Sequence, residues 1–244
     1  MKIDFTTVWT ILQRNLSFFI AGVKWTCLFA FVGTLIGFII GVVVGGIRAV
    51  SIEHTDRPFV RFVKKVLLLI TRFYVWVFRG TPMMVQAVFI YYLFKPVFQW
   101  NSHSAGMVVI SLNTGAYMAE IIRSGIQSID SGQLEACKSI GMSFFQSLIY
   151  VIMPQAIKNA FPSIGNEFVV NIKDTSVLNV IAITELYFQT VSIAGSNFKY
   201  IETYFITACV YLFLTTVATT VLNYVEKKLD VAENSNRKMI VESH

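Results

Sequence analysis

Glu167, Asn171 and Asp174 stand at i, i+4 and i+7 in a stretch otherwise suited to hydrocarbon. At 3.6 residues per turn they share one helical face. Asn113, Tyr117 and Glu120 form a similar stripe earlier in the chain. A charged side chain at mid-membrane costs about 2.5–3.5 kcal/mol on insertion scales, so each carboxylate there is a candidate site residue by default. Facing one another across a water-accessible cavity, the stripes suit a zwitterion. Glu167 meets an ammonium or a cationic side chain, and the amides and hydroxyl of Asn171, Asn113 and Tyr117 serve the rest. Asp174 has a second reading: with Lys173, Thr175 and Ser176 it closes a polar break in its helix. Glu120 has one too, a local ion pair with Arg123 three residues on. Arg79 reads as an interfacial anchor or a partner for a neighbouring loop. No histidine or paired acid supports a proton relay. Cys27, Cys137 and Cys209, like His54, His103 and His244, are too scattered to hold a metal.

The surrounding chain is 55% hydrophobic and 14% charged, against about 45–50% and about 25% in soluble domains. Its mean hydropathy is +0.62. These values predict an all-α, polytopic membrane protein with about five spans. The net charge of +6 sits beside apolar spans, so its partner is an anionic membrane surface and not nucleic acid.

The spans are read as Trp25–Ile47, Gly80 to just before Lys95, Ala105–Ile122, Ile157–Ile183 and Tyr204–Val225. The second is short and draws length from residues ahead of Gly80. Residues 1–24 are then an extracytoplasmic segment, 25–225 the membrane domain and 226–244 a polar tail that frays. In span one, Gly33, Gly37 and Gly41 recur at every fourth residue, a spacing that lets another helix come close. Arg57, Arg61, Lys64, Lys65, Arg72 and Arg79 fall within roughly a 100° arc of one helix. That arc fits an amphipathic helix in the membrane interface, at least through Arg72. The competing reading is a long tilted span with snorkelling ends. Thr81 is the expected N-cap of the next helix, with Pro82 in its first turn.

One set of loops and ends carries Arg48, Arg57, Arg61, Lys64, Lys65, Arg72, Arg79, Arg123, Lys138, Lys158, Lys227, Lys228, Arg237 and Lys238. The other carries only Lys2, Arg14, Lys24, Lys95 and Lys199. The positive-inside rule places the first set in the cytoplasm and the N-terminus outside.

A cytoplasmic interruption, 127–155, separates spans three and four. A short helix runs from about Gly132 to Ile140, capped by Asp130 with Gln133 three residues on, as in a capping box. Glu135 lies near its positive end. Ala136 and Cys137 are small enough for another surface to approach. Gly141 suits the left-handed terminator. Ser143 caps a second, apolar helix that Pro154 stops or kinks. The result is a stiff exposed helix tied to two spans.

Glu135-Ala136, Gly141 and the ending Val151-x-Met153-Pro154 resemble the EAA loop of binding-protein-dependent ABC importer permeases; Cys137 replaces the usual second alanine. "FRGTP" (78–82) followed by Gln86, "GAYMAEIIRSGI" (115–126) and "GNEFVVNIKDTSVLNVIAITEL" (165–186) resemble the polar amino acid branch. The resemblance covers about Lys24 to Val225. It implies a multi-pass subunit of a bacterial inner membrane, pairing with itself or a sister permease. It also implies two ATPase subunits docked on the cytoplasmic face, a coupling helix at Glu135–Gly141, and Glu167 in the pocket wall. The chain has no G-x-x-x-x-G-K-[ST] loop, so ATP and Mg are expected on the partner ATPase, with no cofactor here. About 24 residues ahead of span one are too few for a binding domain, so a separate extracytoplasmic solute-binding protein is expected to deliver the amino acid. The alternatives are a proton-coupled secondary carrier and a membrane enzyme, for which no catalytic constellation is evident.

Overall fold

The computed structural model describes residues 3–50, 52 and 57–242, the side chains as far as Leu229. The described residues are helical and contain no strand: α1 (Phe5–Ala49), α2 (Pro58–Gly80), α3 (Met83–Phe98), α4 (Ser102–Gln127), α5 (Ser131–Ser139), α6 (Phe144–Gln146), a π turn (Ser147–Ile152), α7 (Met153–Asp174), a 3-10 segment (Thr175–Ile181), α8 (Leu186–Asn197) and α9 (Tyr200–Glu242). Among them α1, α4 and α9 are long and apolar enough to cross a membrane. The run from Phe144 to Ile181 joins α8 through a 57° bend to make a fourth candidate. At 16 residues, α3 is about 24 Å long, short of a 30 Å hydrocarbon core. It reaches that length only by continuing from α2.

The glycine stripe fixes the central helix pair. Gly33 faces Ile110, Gly37 faces Thr114, Gly41 faces Met118 and Gly45 faces Ile122. The numbering advances in step, so α1 and α4 run parallel. A Cβ added at these positions would lie 2.3–2.8 Å from an α4 atom. Only hydrogen fits there, and Gly45 extends the stripe by another turn.

The second half of α2 packs along this pair, with Val75 against Ala116 and Ala119 and the Tyr74 hydroxyl donating to the Leu112 carbonyl. Its buried positions, Leu68, Thr71 and Val75, share one face. The N-terminal half, which bears Arg61, Lys64 and Lys65 of the cationic arc, is largely exposed. Further along, α3 buries Ala87 and Ile90 in a cluster with Phe29, Val109 and Ile110.

Three local expectations are revised. Residues 5–24, expected as a separate segment, are continuous with span one as helix, kinked at Asn15 (φ −117°, ψ 16°). The polar tail continues as α9 through Glu242. Of the two outcomes expected at Pro154, a stop or a kink, the stop does not occur. Pro154 lacks the N–H for the carbonyl four residues back, and the chain widens into a π turn immediately before it, with Met153 N–H reaching the Leu148 carbonyl.

Candidate functional site

The site is built around the break between α2 and α3. A continuous helix would need residue 82 to donate to the Phe78 carbonyl, but Pro82 has no N–H. Gln86 supplies the missing donor: its Nε2 donates to the Phe78 carbonyl (2.9 Å), the Thr81 carbonyl (2.9 Å) and Thr81 Oγ1 (2.8 Å). Its Oε1 accepts from Asn113 Nδ2 at 3.0 Å, which ties the break to α4. Thr81 is therefore not the N-cap of α3. Its hydroxyl donates to the Val77 carbonyl at 2.8 Å, and Pro82 occupies the cap position.

Beside this break lies a cavity of about 310 Å³. Asn113 and Tyr117 of α4 line it, as do Glu167, Asn171 and Asp174 of α7, so all five expected solute-contacting residues surround one space. Their bonding separates them. Asn171 is 3% exposed. Its Nδ2 donates to Thr34 Oγ1 (2.8 Å), and its Oδ1 accepts from Thr114 Oγ1 (3.1 Å). It thereby joins α1, α4 and α7. Asn113, buried as well, is held by Gln86. Glu167 and Asp174 are half-buried and, among the described residues, make no hydrogen bond or ion pair. At Thr175 the backbone tightens from α-helix to 3-10, so Asp174 stands both in the cavity and at a break.

Glu120 does not face this cavity. It pairs with Arg48 at the end of α1 (2.6 Å) and with Arg123 (2.8 Å), while Arg79 stands at 3.6 Å. The ion pair with Arg123 is thus present, within a larger cluster joining α1, α2 and α4. The Arg79 guanidinium lies over the Tyr117 ring at 5.3 Å from the centroid, on a side chain that remains exposed. Sequence spacing points to the i,i+3 pair but not to Arg48, 72 residues away. Nothing in the sequence ties Thr34 and Thr114 to Asn171, because isolated threonines in apolar helices commonly bond their own backbone.

The interruption forms a helix locked at both ends. Asp130 Oδ1 accepts from Gly132 N–H at 2.7 Å. This engages the second helical residue and not Gln133, so the expected capping box is absent. A complete box forms instead at Ser143 and Gln146. Gly141 is left-handed (φ +82°). Met142 N–H bonds the Cys137 carbonyl and Gly141 N–H the Lys138 carbonyl, each at 3.0 Å, the Schellman pattern. Glu135, Ala136, Lys138 and Ile140 point outward. Cys137 points inward and is 5% exposed. Its small side chain is packed within this chain.

Residues 59–231 match the family described as "Binding-protein-dependent transport system inner membrane component". The chain is 38% identical over 179 residues to the probable amino-acid permease protein YxeN of Bacillus subtilis, covering 72% of this chain and 77% of that one. It is 31% identical over 234 residues to the glutamine transport system permease protein GlnP of Escherichia coli K12, covering 95% and 100%. A crystal structure of an amino acid ABC transporter with histidines superposes with a TM-score of 0.78 at 34% identity, covering 93% of this chain and all of that one.

Proposed function

Because the chain belongs to the binding-protein-dependent inner-membrane transport components, we propose that it is the permease subunit of an ATP-driven importer of a polar or charged amino acid. Two ATPase subunits hydrolyse ATP with Mg, a second permease subunit completes the pathway, and an extracytoplasmic binding protein delivers the solute. The protein catalyses no bond change. Its α5 end lies in the cytoplasm, the side on which the positive-inside rule puts the basic residues.

One observation carries this reading. The exposed helix α5 lies in the connection between α4 and α7, the two helices that line the Glu167 cavity, and packs on the π turn that leads into α7. Its exposed face is small and polar (Gln133, Glu135, Ala136, Lys138), which suits insertion into a groove on a soluble partner. Displacing α5 shifts α4 relative to α7, and so opens or closes the cavity to one side. In the cavity, Glu167 and Asp174 make no hydrogen bond or ion pair among the described residues and are available for an ammonium or cationic side chain. Asn171 and Asn113 are occupied by framework bonds, and their role is to hold the walls.

The test uses the complete transporter in vesicles. Uptake requires ATP inside the vesicle lumen facing α5 and persists in the presence of an uncoupler. Glu167→Gln raises the solute concentration for half-maximal uptake about tenfold, the order of one charge-assisted hydrogen bond. Uptake abolished by uncoupler and indifferent to ATP would establish the secondary-carrier reading instead. An unchanged concentration dependence would remove Glu167 from the pocket.

A further inference from the structure

The C-terminal end of α1 and the N-terminal half of α2 enclose a cavity with no part in the solute site. It measures about 590 Å³, within the about 300–1,000 Å³ of ordinary ligand pockets. Val43 and Ile47 of α1, Val63 and Leu67 of α2, Phe145 of α6 and Ile149 of the π turn form its walls. Among the described residues that line it, Lys64 is the one with a charge. Such walls give water no hydrogen-bonding partners. A convex apolar face in a membrane is covered by any passing lipid chain. A concave one between three elements loses dispersion contacts unless a single apolar object fills it.

Positive charge borders this cavity. On α2 the lining residues Val60, Val63 and Leu67 share one face, and Arg57, Arg61 and Lys64 run along its edge at i, i+4 and i+7. Lys65 follows directly, and Arg57 and Lys65 are exposed. The sequence holds no carboxylate from Arg57 to Ala119. The same end of α1 carries Arg48, and the positive-inside rule assigns this level to the cytoplasmic leaflet. Lys64 belongs to wall and edge together. A lysine stem can cover apolar surface while its ammonium reaches the headgroup level. An occupant that is apolar along its body and negative at its head matches both features. A segment of a soluble subunit does not, because its backbone polar groups would meet walls that offer them no partner.

We infer that the cavity holds one acyl chain of an anionic phospholipid of the cytoplasmic leaflet, with the lipid phosphate against the cationic edge of α2 at Arg57 and Lys64. The inference goes beyond import and is independent of the solute carried. A chain seated here touches Phe145 and Ile149, so the lipid braces the turn through which α5 reaches α7.

The experiment places the complete transporter in phosphatidylcholine nanodiscs with a trace of a photoactivatable lipid. The lipid bears a diazirine midway along one acyl chain and either a phosphatidylglycerol or a phosphatidylcholine head. After irradiation, adducts on the peptide holding Ile149 are expected to favour the phosphatidylglycerol probe. Leu212 and Phe213, on the exposed face of α9, are labelled by both probes alike. Lys64→Gln lowers the preference at Ile149 about fivefold, the share of one cation near an anionic headgroup, and leaves α9 labelling unchanged. Val63→Trp fills the cavity and removes the Ile149 adducts while those on α9 remain. Should Val63→Trp fail to assemble, Lys64→Gln decides alone. Equal labelling of Ile149 by the two probes, a preference unaltered in Lys64→Gln, or adducts that persist in Val63→Trp overturns the inference. So does a photo-cross-linker at Val43 that captures the second permease or an ATPase subunit, which would assign the cavity to protein. None of these measurements reads uptake, so their failure is distinct from failure of the import reading.

Discussion

Gly41→Ala tests the packing that positions every element of the site. The added Cβ would lie 2.3 Å from Met118 Cβ and 2.8 Å from the Met118 carbonyl carbon. Unstrained carbon contacts are about 3.5–4.0 Å. The helices must separate by roughly 1 Å at this level, because neither atom can rotate away. Overpacking of this kind costs about 1–3 kcal/mol. Alanine is also the better helix former, by about 1 kcal/mol, which partly hides the loss. Gly46→Ala provides the control: the same helix, the same gain in propensity, and a Cβ that meets only Met153 Cε at 3.4 Å. The difference between the two variants therefore isolates the packing cost. In detergent, the denaturation midpoint of Gly41→Ala falls below that of Gly46→Ala by the equivalent of about 1–3 kcal/mol. Adding Met118→Ala does not rescue it, since the obstruction is Met118 Cβ and backbone, both of which remain. Equal midpoints, or rescue by Met118→Ala, would refute the claim that the α1 and α4 backbones are in direct apposition.

Two further outcomes concern the site and its lever. Gly141→Ala meets no atom within 4 Å of its new Cβ but must hold φ at +82°, a cost of about 1–2 kcal/mol for a residue with a Cβ. The end of α5 loosens, and more ATP is hydrolysed per solute imported; Gly141→Asn, which tolerates the left-handed region better, lies between wild type and alanine when both rates are measured on the same vesicles. Asn171→Ala leaves Thr34 and Thr114 without their buried partner and lowers stability by about 1–3 kcal/mol. The half-maximal solute concentration changes less than for Glu167→Gln, and a larger change would return Asn171 to the list of groups that touch solute.

What the sequence revealed depended on how local the cause was. The left-handed Gly141, the Asp130 cap and the Ser143 start are each set within a few residues, and each was legible. The glycine stripe was legible as a close-packing face, but its partner was not, because spacing says nothing of which helix lies opposite. Of the six residues in the two i,i+4,i+7 stripes, five line one cavity and Glu120 does not. Which were free was illegible: Asn171 and Asn113 are occupied by Thr34, Thr114 and Gln86, partners on other helices or across the proline break. Glu120 was read with its neighbour Arg123, whereas its 2.6 Å partner is Arg48. The small size of Cys137 does not say which way it faces; the packing of α5 on the following turn turns it inward.

The bonding pattern also explains how one short helix can act on a distant cavity. A lever works only if its attachments are stiffer than the joint it moves. At one end, α4 is clamped to α1 by four glycine contacts and by the Arg48–Glu120 pair. At the other, α7 starts from a π turn and ends in a 3-10 segment, so irregular backbone sits at both of its ends and not along α4. The bond chain Thr34–Asn171–Thr114 joins the two sides at cavity level and consists of neutral hydrogen bonds, each of modest net strength. On the import reading, force entering through α5 therefore meets a rigid α1–α4 pair and a more compliant α7. Motion concentrates in α7, the helix that carries Glu167 and Asp174.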